Sequence, residues 1–340
     1  MADRYFVPSQ YHLHLMDNTE REMAWQGQPF KPWQRQLRAR LLKLMGRLPQ
    51  ERGPLNVEET EREETETYVR RKLVFTSEPH ADVPVHLLVP RGAARRRPAM
   101  ICLQGHSPGM HISIGVAKND NEKELIAGDR DIAVQAVRSG FVALALEQRC
   151  FGERGETLQQ QRAEHPCQDA VMHSLLLGRT VIGERTWDIM RAIDLLQTLP
   201  EVDPRRIGCM GNSGGGTATF FAACLERRIK VAVVSCYFCT FAHSVMRIYH
   251  CADNYIPGIL KVAEMGELAG LIAPRRLLIV AGRQDSIFPF EGVEKAFATA
   301  KEIFGAAGRP DNIKLVVGEG GHRFYAEPSW PIIKRWLRVR

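Results

Sequence analysis

No apolar run in this 340-residue chain approaches the ~20 residues that a bilayer-spanning helix requires, so a membrane partner is not expected. The opening residues, Met-Ala-Asp-Arg-Tyr-Phe, lack an apolar stretch of signal-peptide length, and a cytoplasmic location is the expectation. The eight cysteines follow no framework spacing. Cys102, Cys209 and Cys236 fall in or beside apolar runs, where thiols act as small hydrophobes, so reduced cysteines fit better than disulfides. There is no internal repeat and no low-complexity linker, which argues against a solenoid or a string of modules.

What is present is ordinary soluble composition: 44% hydrophobic and 25% charged, enough to bury a sizeable core. The net charge of +7 sits in small clusters. Arg95, Arg96 and Arg97 share a loop. Arg35, Arg38, Arg40, Lys43 and Arg47 punctuate an amphipathic stretch. No aromatic-basic motif accompanies them, so solvated surface charge is expected and nucleic acid is not. The acidic run Glu58 to Glu66 offsets part of the excess.

Leu37, Leu41, Leu44, Met45 and Leu48 recur at helical spacing, which predicts a helix over 33–48, ended by Pro49, Gly53 and Pro54. Residues 1–66 read as a helical extension packing on a catalytic domain over 67–340. Strands are predicted at Tyr68–Phe75 and Val83–Val89, as a hairpin, and at Ala99–Leu103, Phe141–Leu146, Ile207–Met210, Val231–Val234, Leu277–Ala281 and Ile313–Val317. Helices are predicted between the later strands, at Ile132–Ser139, Thr180–Leu199, Thr217–Leu225, Val293–Phe304 and Ser329–Leu337. Alternating strands and helices make a mainly parallel, doubly wound α/β sheet with helices on both faces, and the hairpin adds antiparallel strands at one edge.

Gly211-Asn212-Ser213-Gly214-Gly215 matches G-x-S-x-G. The bare pattern is common; a short apolar strand before it and a helix-compatible segment after it make it specific. Gly211 and Gly215 would keep a sharp strand-to-helix turn open, and the lysine and hydroxyl of a phosphate-binding loop are missing. A serine nucleophile needs a base and an orienting acid, each on a loop after a later strand. Asp285 follows Leu277–Ala281, and His322 follows Ile313–Val317. Glu319 and Asp311 are weaker rivals for the acid. The oxyanion donors would be the backbone N–H groups of Gly214 and of His106, in the loop after Ala99–Leu103. His106 could also be read as a base or a metal ligand, but His322 already fills the base role.

With these residues assembled, the chain resembles the α/β-hydrolases of the acetylxylan esterase, cephalosporin-C deacetylase and dienelactone hydrolase kind. The resemblance runs from Tyr68 to the C-terminus. Its carriers are Val83–Pro90, Cys102-Leu103-Gln104-Gly105-His106, Asp188–Asp194, Pro200–Ile207, the serine turn, Ala273-Pro274-Arg275 and Gly320-Gly321-His322. Gln104-Gly105 stands where that group usually has His-Gly, and a serine stands where dienelactone hydrolases have cysteine. The resemblance implies ester cleavage, often of acetyl groups on sugars, without a cofactor.

The long connection Ser107–Asp131 and the irregular residues 147–168 lie near strand ends where α/β sheets bind ligands. Gln104, Arg149, Tyr237 and Phe238 are the expected substrate contacts. Residues 236–270 lie where the fold often inserts a lid; its Tyr237, Phe238, Phe241, His243, Tyr249 and Tyr255 fit either a substrate cover or simple packing. Cys236-x-x-Cys239 with His243, His250 and Cys251 lacks a standard zinc spacing, so no metal is expected. A peptidase of the same fold and a non-catalytic binding protein are the alternatives to an esterase acting on a small-molecule or oligosaccharide ester. A homo-oligomer is compatible with the composition.

Overall fold

The computed structural model describes residues 4–49, 51–92, 96–106, 108–156 and 167–339. Arg95, Ser107 and the middle of the irregular stretch 147–168 lie outside them.

Nine strands form one sheet: β1 (Glu58–Glu64), β2 (Tyr68–Glu78), β3 (Ala81–Pro90), β4 (Arg97–Leu103), β5 (Val142–Leu146), β6 (Val202–Asn212), β7 (Ile229–Ser235), β8 (Arg276–Gly282) and β9 (Ile313–Gly318). Their order is β1-β2-β3-β5-β4-β6-β7-β8-β9. β1, β2, β3 and β5 pair antiparallel, and all pairs from β5 to β9 are parallel.

Period-two alternation sorts the strand residues onto two faces. Ile101, Leu103, Leu144 and Cys209 point into one core, while Met100, Cys102, Ala143 and Met210 point into the other. Helices Val181–Thr198 and Gly214–Leu225 cover the first face, and Ile132–Arg138 and Ala326–Leu337 the second.

Arg97, expected in a loop, instead begins β4, and the helix expected over 33–48 runs Phe30–Leu44; two further stretches depart at the strands. The acidic run forms edge strand β1, exposed throughout, because its carboxylates meet cations on β2: Glu59 with Arg71 at 2.7 Å and Glu61 with Lys72 at 3.5 Å. β6 starts at Val202 rather than Ile207, because Arg97 pairs with Val202 across a register shift.

The helix Phe30–Leu44 buries Trp33, Leu37 and Leu41 in the first core. Its Arg38 donates to the Cys224 carbonyl at 2.8 Å and to that of Leu225. These are carbonyls left over at the end of helix Gly214–Leu225, where a cation also complements the helix dipole. Arg275 donates to the Ala223 carbonyl of the same turn at 2.5 Å. The helix Phe30–Leu44 thus holds the far end of the helix that follows Ser213. No helix among the described residues is long and apolar enough to cross a membrane.

The chain winds from β4 to β5 on one side, then crosses to β6 on the other. β4 and β6 are therefore the switch point, beyond whose C-terminal ends α/β sheets bind ligands. The loop carrying His106 and the turn carrying Ser213 leave from those two ends. A concavity of about 970 Å³ lies at the opposite edge, among Arg97, Arg205, Arg206, Lys230 and Arg338.

Candidate active site

Ser213 occupies the step between β6 and helix Gly214–Leu225, with φ +56° and ψ −123°. A positive φ is costly for a residue with a side chain. It is held on both sides: the Ser213 N–H donates to the Ser235 carbonyl at 2.9 Å, and the Ser213 carbonyl accepts from Thr217 at 2.9 Å. The turn closes because its flanks are glycine. A Cβ on Gly211 would lie 2.3 Å from the Gly215 carbonyl oxygen, and one on Gly215 would lie 2.2 Å from that of Leu103.

Asp285 and His322 leave the same edge of the sheet, after β8 and β9. His322 Nδ1–H donates to Asp285 Oδ2 at 2.8 Å. The other Asp285 oxygen accepts from the amides of Ile287 at 2.9 Å and Phe288 at 3.1 Å. Burial works to raise this carboxyl, but the hydrogen bond and charge of His322 and the two amides outweigh it and hold it below the ordinary carboxylate value. The Phe288 ring stacks on the imidazole, centroids 5.8 Å apart. The imidazole is partly exposed while the Asp285 side chain is buried. Neither Glu319, paired with Arg283 at 3.2 Å, nor Asp311 is joined to His322 in this way.

A second histidine–aspartate pair stands beside the serine. His106 Nε2–H donates to the Asp253 carboxylate, 2.9 and 3.1 Å from its two oxygens. Asp253 is fully buried and also accepts from Arg185 at 2.6 Å. Arg185 donates to the Arg149 carbonyl at 2.6 Å and lies over the Phe151 ring at 4.4 Å. A Cβ on Gly214 would lie 2.9 Å from both Nδ1 and Cε1 of His106 and 3.6 Å from its backbone nitrogen. The glycine after the serine is thus the space that the His106 ring fills. Nothing local in sequence marks Asp253 or Arg185, which fold onto His106 from segments 236–270 and 181–198.

Four expected substrate contacts are placed otherwise. The Gln104 side chain donates to Ser113 and to the Arg130 carbonyl at 3.0 Å, bracing the loop from inside. Arg149 is enclosed by Glu78 at 2.7 Å, Asp188 at 2.9 Å and Glu184 at 3.0 Å. Tyr237 and Phe238 are buried against Phe220, at 6.2 and 5.7 Å between centroids. The aromatic set of 236–270 divides. Tyr237, Phe238 and Phe241 join the core. Tyr249 and Tyr255 line a cavity of about 370 Å³ with Val171, Met172, Leu175 and His250. His250 meets Phe288, the ring that stacks on His322, at 5.3 Å.

Side chains of metal-ligating type gather twice among the described residues, as His106–Cys251–Asp253 and Cys236–Asp285–His322. Neither is the Cys236–Cys239–His243 spacing weighed from sequence. In the first, Arg185 already sits on the carboxylate; in the second, the Asp285 carboxylate is already taken by His322 Nδ1 and the amides of Ile287 and Phe288.

A family model described as "Abhydrolase family" matches residues 9–316. The chain belongs to this family. YtaP of Bacillus subtilis (strain 168), a protein named as a hydrolase, is 28% identical over 295 residues, covering 84% of this chain and 92% of YtaP. A crystal structure from Bacteroides fragilis NCTC 9343, described as that of an acetyl xylan esterase, superposes with a TM-score of 0.76 at 21% identity, over 93% of this chain and 83% of that one. A glucuronoyl esterase from Solibacter usitatus superposes with a TM-score of 0.66 at 15% identity, over 91% of this chain and 92% of that one. At these identities the solved structures establish a shared fold, the α/β-hydrolase fold, with the antiparallel strands at its N-terminal edge and parallel strands beyond.

Proposed function

We propose that the chain is a serine carboxylic-ester hydrolase that cleaves short acyl esters, acetyl above all, through an acyl-enzyme. One observation carries the reading: His322 is hydrogen-bonded at 2.8 Å to a buried Asp285, on the sheet edge where Ser213 sits in a strained strand-to-helix turn. A histidine so held keeps its proton on Nδ1 and leaves Nε2 to take one from a hydroxyl. Ser213 Oγ attacks the ester carbonyl as His322 removes its proton. The same proton goes to the departing alcohol. Water, activated by His322, then releases the acid and frees Ser213.

The backbone N–H groups of Gly214 and His106 are the proposed oxyanion donors, one at a helix N-terminus and the other in the facing loop. The cavity lined by Met172, Leu175, Tyr249 and Tyr255 offers apolar surface beside His250 for the acyl or alcohol part. An acetylated sugar or xylo-oligosaccharide is the proposed natural class, supported by the likeness to the structure described as an acetyl xylan esterase. Hydrolysis of p-nitrophenyl acetate by the wild type and by Ser213→Ala tests the reading. Loss of turnover in the variant supports it, and equal rates overturn it. A panel of acetyl to octanoyl esters with acetylated xylo-oligosaccharides then reads acyl length and alcohol.

A further inference from the structure

The proposed mechanism uses one histidine–aspartate pair, and the fold builds two around the same serine. The second consists of His106, Asp253 and Arg185. Asp253 has a fully buried side chain that accepts from both His106 and Arg185, so with the imidazole protonated the set carries one net positive charge. The His106 ring is fixed on several sides. Nε2 is taken by both Asp253 oxygens, Phe151 packs edge-on at 5.1 Å, and the Gly214 position abuts Nδ1 and Cε1. Its side chain keeps 23% of its surface exposed, so the ring is not sealed off.

We propose that the His106 side chain is a catalytic residue: an imidazolium anchored at Nε2 by Asp253, whose Nδ1–H supplements the backbone donors to the oxyanion formed when Ser213 attacks. The proposal rests on the esterase reading above and deepens it. In the ground state the set is one positive charge in excess. The tetrahedral intermediate adds one negative charge beside it, and the cluster becomes balanced. A donor fixed in a water-poor site before reaction pays no reorganisation when charge develops there. No proton leaves His106 in any step. It donates a hydrogen bond only, and the proton of Ser213 Oγ still travels through His322.

The titratable and charged groups around the ring are Asp253, Arg185, Cys251, Cys150 and His250. Burial opposes charge on His106, but Asp253 outweighs it and raises the imidazole to about 9, so the ring stays cationic across neutral pH. His250 is buried and repelled by His106, and falls to about 4, so it stays neutral there.

The test measures kcat and KM for p-nitrophenyl acetate from about pH 6 to 10 in wild type, His106→Gln, Asp253→Asn and Ser213→Ala. His106→Gln keeps the backbone N–H and removes the cationic ring. The expected loss is about 10²–10³-fold in kcat with KM little changed, the effect of deleting one oxyanion donor. Asp253→Asn should move the alkaline limb of kcat down by about one pH unit or more, which a merely structural aspartate would not do. If His106→Gln proves too unstable to assay, that limb alone decides, and an unmoved limb overturns the proposal. A wild-type kcat in His106→Gln also overturns it. Wild-type turnover in Ser213→Ala would instead strike the esterase reading itself.

Discussion

The carboxylate of Asp285 divides its two oxygens between different tasks: one accepts from His322 Nδ1 at 2.8 Å, and the other is pinned by the amides of Ile287 and Phe288. The amides fix where the acid points, and the acid in turn fixes the tautomer of the histidine. Asp285→Asn keeps the shape but can present an N–H to Nδ1, favouring the tautomer with its proton on Nε2. The expected result is a fall in kcat of about 10³–10⁴-fold with KM close to wild type. Steady-state kinetics on p-nitrophenyl acetate checks this, and a fall of less than tenfold would point to another acid.

The helix Phe30–Leu44 is expected to stabilise the helix that follows Ser213. Arg38 satisfies carbonyls at its C-terminal end. Arg38→Ala leaves part-buried acceptors without their donor, at a cost of about 1–2 kcal/mol. A denaturant midpoint measures the loss. An unchanged midpoint would show that Arg275 alone suffices at that end.

Glu147 makes the fold sensitive to pH. It lies almost fully buried after β5 and accepts from the Met110 N–H at 2.9 Å and the Glu153 N–H at 3.2 Å. Burial outweighs those bonds and raises its carboxyl to about 7 from 4.5. An acid raised on folding contributes stability that is full below its unfolded value and is lost as pH rises through the folded one. Stability should therefore fall between about pH 4.5 and 7 on this account. Glu147→Gln removes the charge and should be the more stable chain at pH 8, by up to roughly 3 kcal/mol. Urea midpoints at about pH 4 and pH 8 read the difference; a gap of equal size at both would contradict the assignment.

Much of this was legible in the sequence because the relevant signals are local. The Gly-x-Ser-x-Gly turn sits between its own strand and helix, and Asp285 and His322 each follow an apolar strand closely. The hairpin and the parallel strands announced themselves by apolar runs. What was hidden depends on distant partners. The acidic run Glu58 to Glu66 carries no strand signal of its own, and Glu58–Glu64 becomes a strand by pairing with β2, where Glu59 and Glu61 meet Arg71 and Lys72. The apolar run marks β6 only from Ile207, yet the strand begins at Val202 and runs through Asp203-Pro204. Arg149 looks like a substrate contact until three carboxylates from 78, 184 and 188 close on it. Tyr237 and Phe238 follow a strand end as pocket residues often do, and only packing against Phe220 places them inside. Asp253 carries no local mark at all, since its partner His106 is 147 residues away.

The central claim is that Ser213 is the nucleophile, and covalent trapping tests it most directly. The protein is treated with a fluorophosphonate, digested, and the modified peptide located by mass spectrometry. The account predicts a single phosphonyl adduct on Ser213, formed in the wild type and absent from Ser213→Ala. An adduct on another residue, or an esterase activity that survives in Ser213→Ala, would contradict it.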